Sequence, residues 1–96
     1  MKENGEVRTI QEETVVYQGL CLQYQLLQDV GKGGYSLAVT LGKERVAVAL
    51  GEDFFFAGEC YRLARDGGVT PCTLADVVED LRMEKGIFAK PIYKFP

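Results

Sequence analysis

From Leu20 to Leu26 apolar side chains occupy every second position (Leu20, Leu22, Tyr24, Leu26), with Cys21, Gln23 and Gln25 in the gaps. A period of two is that of a strand with one buried face. Upstream, Thr14-Val15-Val16-Tyr17 also reads as extended, Gly19 marks a bulge or break, and residues before Gln11 are patterned only weakly enough for a frayed edge strand. Gly31-Lys32-Gly33-Gly34 supplies residues that tolerate positive φ and predicts a hairpin turn. A second inward row follows at Tyr35, Leu37, Val39 and Leu41. After a tighter reversal at Gly42-Lys43 a third row runs through Val46, Val48 and Leu50, with Ala47 and Ala49 opposite. Sequential antiparallel strands with one apolar face need a cover.

The period then changes to that of a helix. Asp53 is placed to cap a helix from Phe54 to Asp66, its carboxylate accepting from free first-turn amides. At about 100° per residue, Glu59, Arg62, Arg65 and Asp66 share one side and Phe56, Ala57, Cys60, Leu63 and Ala64 the other. Phe54 and Tyr61 fall on the boundary, and Phe55 falls among the charges. Gly67-Gly68 ends the helix, one of the two taking the left-handed position. Pro71 discourages helix at Thr70, Thr73 with Asp76 forms a variant capping box, and Leu74, Val77, Val78 and Leu81 make the buried stripe of a second helix ending by Gly86.

These elements predict one α+β domain over residues 1–96, an antiparallel meander of three to four strands with two helices on one face, in two layers and the order β-β-β-α-α. The expected core is Leu20, Leu22, Tyr24, Leu26, Leu37, Val39, Leu41, Val46, Val48, Leu50, Ala57, Cys60, Ala64, Leu74, Val77, Val78 and Leu81. The ordered part is expected to run over about 14–85, with 1–12 and 87–96 either flexible or used in association.

Val69-Thr70-Pro71, Leu74, Asp76-Val77 and Glu79-Asp80-Leu81 together spell V-T-P-x-x-L-x-D-V-x-E-D-L. This resembles the C-terminal signature of an uncharacterised family of short bacterial proteins, a domain of unknown function. The likeness covers about residues 14–83, since the family's strands followed by a helix precede the motif in the same order. It implies a fold and no activity.

Composition narrows the function. The 96 residues carry 11 basic against 14 acidic side chains, a net charge of -3 that offers no general field for a nucleic-acid backbone. There is no histidine, which removes the usual general base and the commonest metal ligand. Cys21, Cys60 and Cys72 form no CxxC pair, which argues against a disulfide framework or a structural zinc site. Apolar runs such as Phe54-Phe55-Phe56-Ala57 are far short of a membrane span, and the polar start has no signal-peptide pattern. No membrane or nucleic-acid partner, no cofactor and a cytoplasmic location are therefore expected.

Candidate chemistry is sparse. Asp76 and Asp80, four residues apart, would offer two carboxylates to one cation, but acids early in a helix are what the macrodipole favours anyway. Cys72 stands where helix amides favour a thiolate, against the simpler reading of a small turn residue. Gly31-Lys32-Gly33-Gly34 lacks the spacing and following helix of a P-loop. Lys43, Arg45, Arg62 and Arg65 would make an anion patch only if the fold gathers them. The surplus is hydrophobic: Phe55 with Ile87, Phe88, Ile92, Tyr93 and Phe95 exceeds what one sheet face needs. The tail either folds back over the open sheet face, as an extra strand or a strap, or meets another chain.

The sequence thus favours a small non-enzymatic interaction or regulatory module, a homodimer or an adaptor. It would use a sheet edge or a surface including Phe55, Glu79, Asp80, Phe88, Ile92, Tyr93 and Phe95. The alternative is a domain that binds a small ligand between Tyr24, Tyr35 and Phe56, or a divalent cation, with weak or no catalysis.

Overall fold

The computed structural model describes residues 6–85. Four strands, β1 (Val7–Tyr17), β2 (Leu20–Asp29), β3 (Tyr35–Leu41) and β4 (Glu44–Gly51), are followed by α1 (Phe54–Gly67), a 3₁₀ turn (Pro71–Thr73) and α2 (Leu74–Lys85). The sheet order is β1-β2-β3-β4, each neighbouring pair antiparallel. This is the expected two-layer α+β meander, with the upstream extended segment as its fourth strand.

Turn chemistry sets the register. Gln18 and Gly19 have φ of 53° and 81°, and Tyr17 pairs with Leu20 across them. Two positive-φ residues make a primed hairpin turn that matches strand twist. Gly19 is therefore the second turn residue rather than a bulge. Gln18 gave no hint of it, being neither glycine nor asparagine. Gly42, at φ 62°, opens the β3–β4 turn, where Leu41 faces Glu44. Between β2 and β3 the Asp29 carboxylate accepts from the Lys32 amide at 3.0 Å and the Asp29 carbonyl from the Gly33 amide at 2.6 Å. That loop is the hairpin connection read from its glycines.

Even-numbered residues of β2 and odd-numbered residues of β3 face the helices: Leu22, Tyr24, Leu26, Leu37 and Val39 are buried there with Phe56, Ala57, Cys60, Tyr61, Ala64, Leu74, Val78 and Leu81. Each buried aliphatic side chain contributes about 1.5–3 kcal/mol relative to exposure. Tyr24 takes its hydroxyl into the core by donating to the Val69 carbonyl at 3.0 Å. Leu20 departs from expectation, at 45% exposed. It pairs with Tyr17 at the hairpin mouth, on the last rung before the turn. Leu41, Val46, Val48 and Val77 are only half-buried against the core. Conversely Phe56 and the boundary residue Tyr61 are buried.

Both helix ends of α1 follow the sequence. Asp53 accepts from the amides of Phe55 at 2.9 Å and Phe56 at 3.2 Å. At the other end Gly68 adopts φ 65°, the Val69 amide donates to the Ala64 carbonyl at 3.0 Å and the Gly68 amide to that of Arg65 at 3.4 Å. These are the paired bonds of a Schellman stop. The start of α2 differs from expectation. Its entry is the 3₁₀ turn, with Pro71 in the first helical position and Thr70 in the cap position. Proline is pre-set for that site, so helical geometry begins three residues earlier than a Thr73 cap would have it. The Thr73 hydroxyl instead donates back to the Thr70 carbonyl at 3.3 Å.

α1 packs over β2 and β3, and α2 over β4. No helix among the described residues is long and apolar enough to cross a membrane.

Candidate functional site: the two edges of the sheet

Among the described residues the four-stranded sheet has two edges without a strand partner, and they are finished differently. In a ladder closed by a two-residue turn, the residues flanking the turn are a hydrogen-bonded pair and such pairs alternate along the strands. Along β1, Tyr17, Val15, Glu13 and Gln11 therefore turn their amides and carbonyls toward β2, while Val16, Thr14 and Glu12 turn theirs outward. By the same rule Arg45, Ala47 and Ala49 present the outward groups of β4.

The β4 edge is capped. Arg82 of α2 crosses to donate from Nη2 to the Ala49 carbonyl at 2.6 Å. One outward acceptor is thus occupied, and a guanidinium stands in the path of an incoming strand. Charge along an edge is a recurrent protection against unwanted pairing.

The β1 edge has its two carboxylates drawn inward. On the helix side, Glu13 Oε1 accepts from Arg65 Nη1 at 2.8 Å and from the Tyr61 hydroxyl at 3.0 Å. The Arg65 hydrogen bond, followed by that from Tyr61, holds the Glu13 carboxyl below the ordinary carboxylate range. Burial, reinforced by the carboxylate it serves, pushes the Tyr61 phenol upward. On the opposite face, Glu12 accepts from Gln23 at 3.0 Å and Gln25 at 3.2 Å, and Gln25 accepts from Arg45 at 3.3 Å. Ala38, paired with Gln25 on that face, is fully buried although no helix covers it. Both carboxylates of β1 are thereby committed to their own chain.

What remains on the outer side is Thr14-Val15-Val16-Tyr17, uncharged and β-branched or aromatic. Val16 is 69% and Tyr17 41% exposed. The regular part of the edge is bounded by a register shift between Thr9 and Gln11 on one side and the Gln18-Gly19 turn on the other.

The remaining candidates are dispersed. Phe55 is 85% exposed in the first turn of α1, edge-on to Phe54, which in turn meets Tyr35 at a centroid distance of 5.6 Å. Glu79 and Asp80 lie on the exposed side of α2. Among the described residues no hydrogen bond, ion pair or ring contact joins Phe55 to either acid. Phe88, Ile92, Tyr93 and Phe95 lie outside the described residues.

Arg45 and Arg65 occupy opposite faces of the sheet, so the four basic residues make no single anion patch. Among the described residues no three Cys, Asp or Glu side chains are grouped to hold a metal ion. Of the three free cysteines, Cys21 and Cys72 are exposed, and burial pushes the Cys60 thiol up to about 11. Tyr24 and Phe56 belong to the packed core cluster, with Tyr35 partly buried against it.

Sequence reasoning read Thr14–Tyr17 as a strand but did not mark it as the open edge, and it missed the Tyr61–Glu13–Arg65 cluster. A signal for the latter existed: once Val15 faces inward, so does Glu13, and an acid on an inner face asks for a donor. Compared with protein-family models, curated proteins and solved structures, the chain matches none.

Proposed function

We propose that this domain is a non-enzymatic, cytoplasmic protein-interaction module whose contact surface is the outer edge of β1. The observation that carries the reading is the asymmetry of the edges: β4 is capped by Arg82, while both β1 carboxylates are held by their own chain. An uncapped edge gives affinity through main-chain hydrogen bonds and specificity through alternate side chains. The free cysteines suit a reducing compartment. Glu13, Arg65, Tyr61 and Asp53 are engaged in holding the fold.

Thr14→Pro is the direct test. The Thr14 amide faces away from β2, so proline there leaves the internal ladder intact and blocks an added strand. Capture of binding proteins from the native cell should be lost with Thr14→Pro and kept with Phe55→Ser, both folded by circular dichroism. Undiminished capture by Thr14→Pro, with loss in Phe55→Ser, would move the surface to the first turn of α1.

A further inference from the structure

Resting on the edge reading above, we infer that the strand which β1 accepts is β1 of a second copy, in an antiparallel pairing whose two-fold axis passes beside Thr14. The regular stretch between the register shift and the hairpin turn is Gln11 to Tyr17, and Thr14 stands at its centre. An isologous pair is self-complementary, so the choice of centre fixes every contact.

Centring on Thr14 sets Thr14 opposite its copy, Glu12 opposite Val16, Glu13 opposite Val15 and Gln11 opposite Tyr17. Glu12, Thr14 and Val16, the residues with outward amides and carbonyls, then face one another as hydrogen-bonded pairs, about six main-chain bonds in all. Threonine opposite threonine is a favourable cross-strand pair, and like charges directly opposite are not. Moving the centre to Glu13 or Glu12 puts that carboxylate directly against its copy. Moving it to Val15 or Val16 drives the overlap into the Gln18-Gly19 turn and shortens the ladder.

At the Thr14 centre, Glu13 and its copy are diagonal neighbours, each with its own Arg65 at 2.8 Å. The exposed Val16 gains the aliphatic stem of Glu12, whose carboxylate is already turned toward Gln23 and Gln25. An axis perpendicular to the sheet keeps both helix layers on one face, giving a continuous sheet of twice four strands.

Residue 14 alone meets itself in this register, which makes a charge exchange diagnostic. Sedimentation equilibrium of the full chain should give twice the chain mass for the wild type. Thr14→Lys and Thr14→Glu alone should each give the mass of one chain, and an equimolar mixture should return to twice that mass. Circular dichroism confirms that each is folded. A wild-type dimer that persists in both single variants overturns the pairing. So does a wild type that stays at single-chain mass up to millimolar concentration. If Thr14→Pro nevertheless abolishes capture of a different protein, the edge reading stands and only the second copy falls. If Thr14→Pro changes no association of any kind, both fall.

Discussion

The two edge strands of this sheet differ in length, in what covers them and in where their charges point. β4 is 8 residues long, lies beneath α2 and has a guanidinium on its Ala49 carbonyl. β1 is 11 residues long and is tied to the helix layer at Glu13, by Arg65 and Tyr61, and at Tyr17, whose ring lies against Gly68. One edge has a charged side chain on the outside, and the other turns its two carboxylates to the inside. Protection of an edge is therefore a matter of where a charge is directed and not of how many the strand contains.

Proline scanning along β1 should break or sharpen this contrast most strongly. Val15→Pro removes an inward amide from the β1–β2 ladder and leaves its carbonyl partner unmet, so a loss of about 3 kcal/mol is expected in denaturant unfolding. Thr14→Pro, one residue away but outward, should cost about 1 kcal/mol or less. Equal costs would mean that the assignment of outward groups is wrong.

Gly68→Ala probes the far anchor of the same strand. Gly68 sits at φ 65°, and a Cβ there would come within 2.9 Å of the Tyr17 ring. A left-handed non-glycine costs about 1–2 kcal/mol before any clash. The expected result is a Tm lowered by more than the left-handed backbone alone accounts for, together with changed tyrosine fluorescence, and a loss no larger than that backbone cost would show that the strand end moves freely.

Arg82→Ala tests the other edge. Losing a charge-assisted bond at an exposed site should cost about 1 kcal/mol. The same variant should become more prone to associate, because the Ala49 carbonyl is left open. A variant that is less stable yet no more associative would mean that α2 alone shields β4.

The smallest effect concerns pH. The Glu13 carboxyl is depressed in the folded state, first by Arg65 and then by Tyr61. A depressed folded value gives stability that is fully present above the unfolded pKa and is lost as pH falls through the folded one. Across thermal melts between about pH 7 and pH 3, Glu13→Gln should flatten the acid limb of the wild-type curve. Identical limbs would show that the Glu13–Arg65–Tyr61 contacts add nothing to the folded state.

How much of this was legible in the sequence follows from the range of each interaction. Caps are local, so Asp53 and the Gly67-Gly68 stop could be read directly, as could the inward rows of β2 and β3. The α2 start misled because two threonines flank Pro71 and the proline favours the earlier one. The first hairpin was obscured because Gln18 adopts φ 53° without the residue type that advertises it. The upstream half of β1 was faint because an edge strand wet along much of its length has no reason to alternate.

The site itself depends on residues far apart in the chain. Tyr61 reaches Glu13 across 48 positions and Arg82 reaches Ala49 across 33. No spacing rule encodes such pairs. Which strand lies at an edge, and whether that edge is capped, is settled only when the layers are stacked.

The most direct measurement is amide hydrogen exchange, residue by residue, as a function of protein concentration. With a second copy as the partner of the β1 edge, Glu12, Thr14 and Val16 should gain protection as concentration rises, while the Arg45 and Ala47 amides on β4 stay unchanged. Free exchange at Glu12, Thr14 and Val16 at every concentration, with protection growing on β4 or around Phe55, would contradict that pairing.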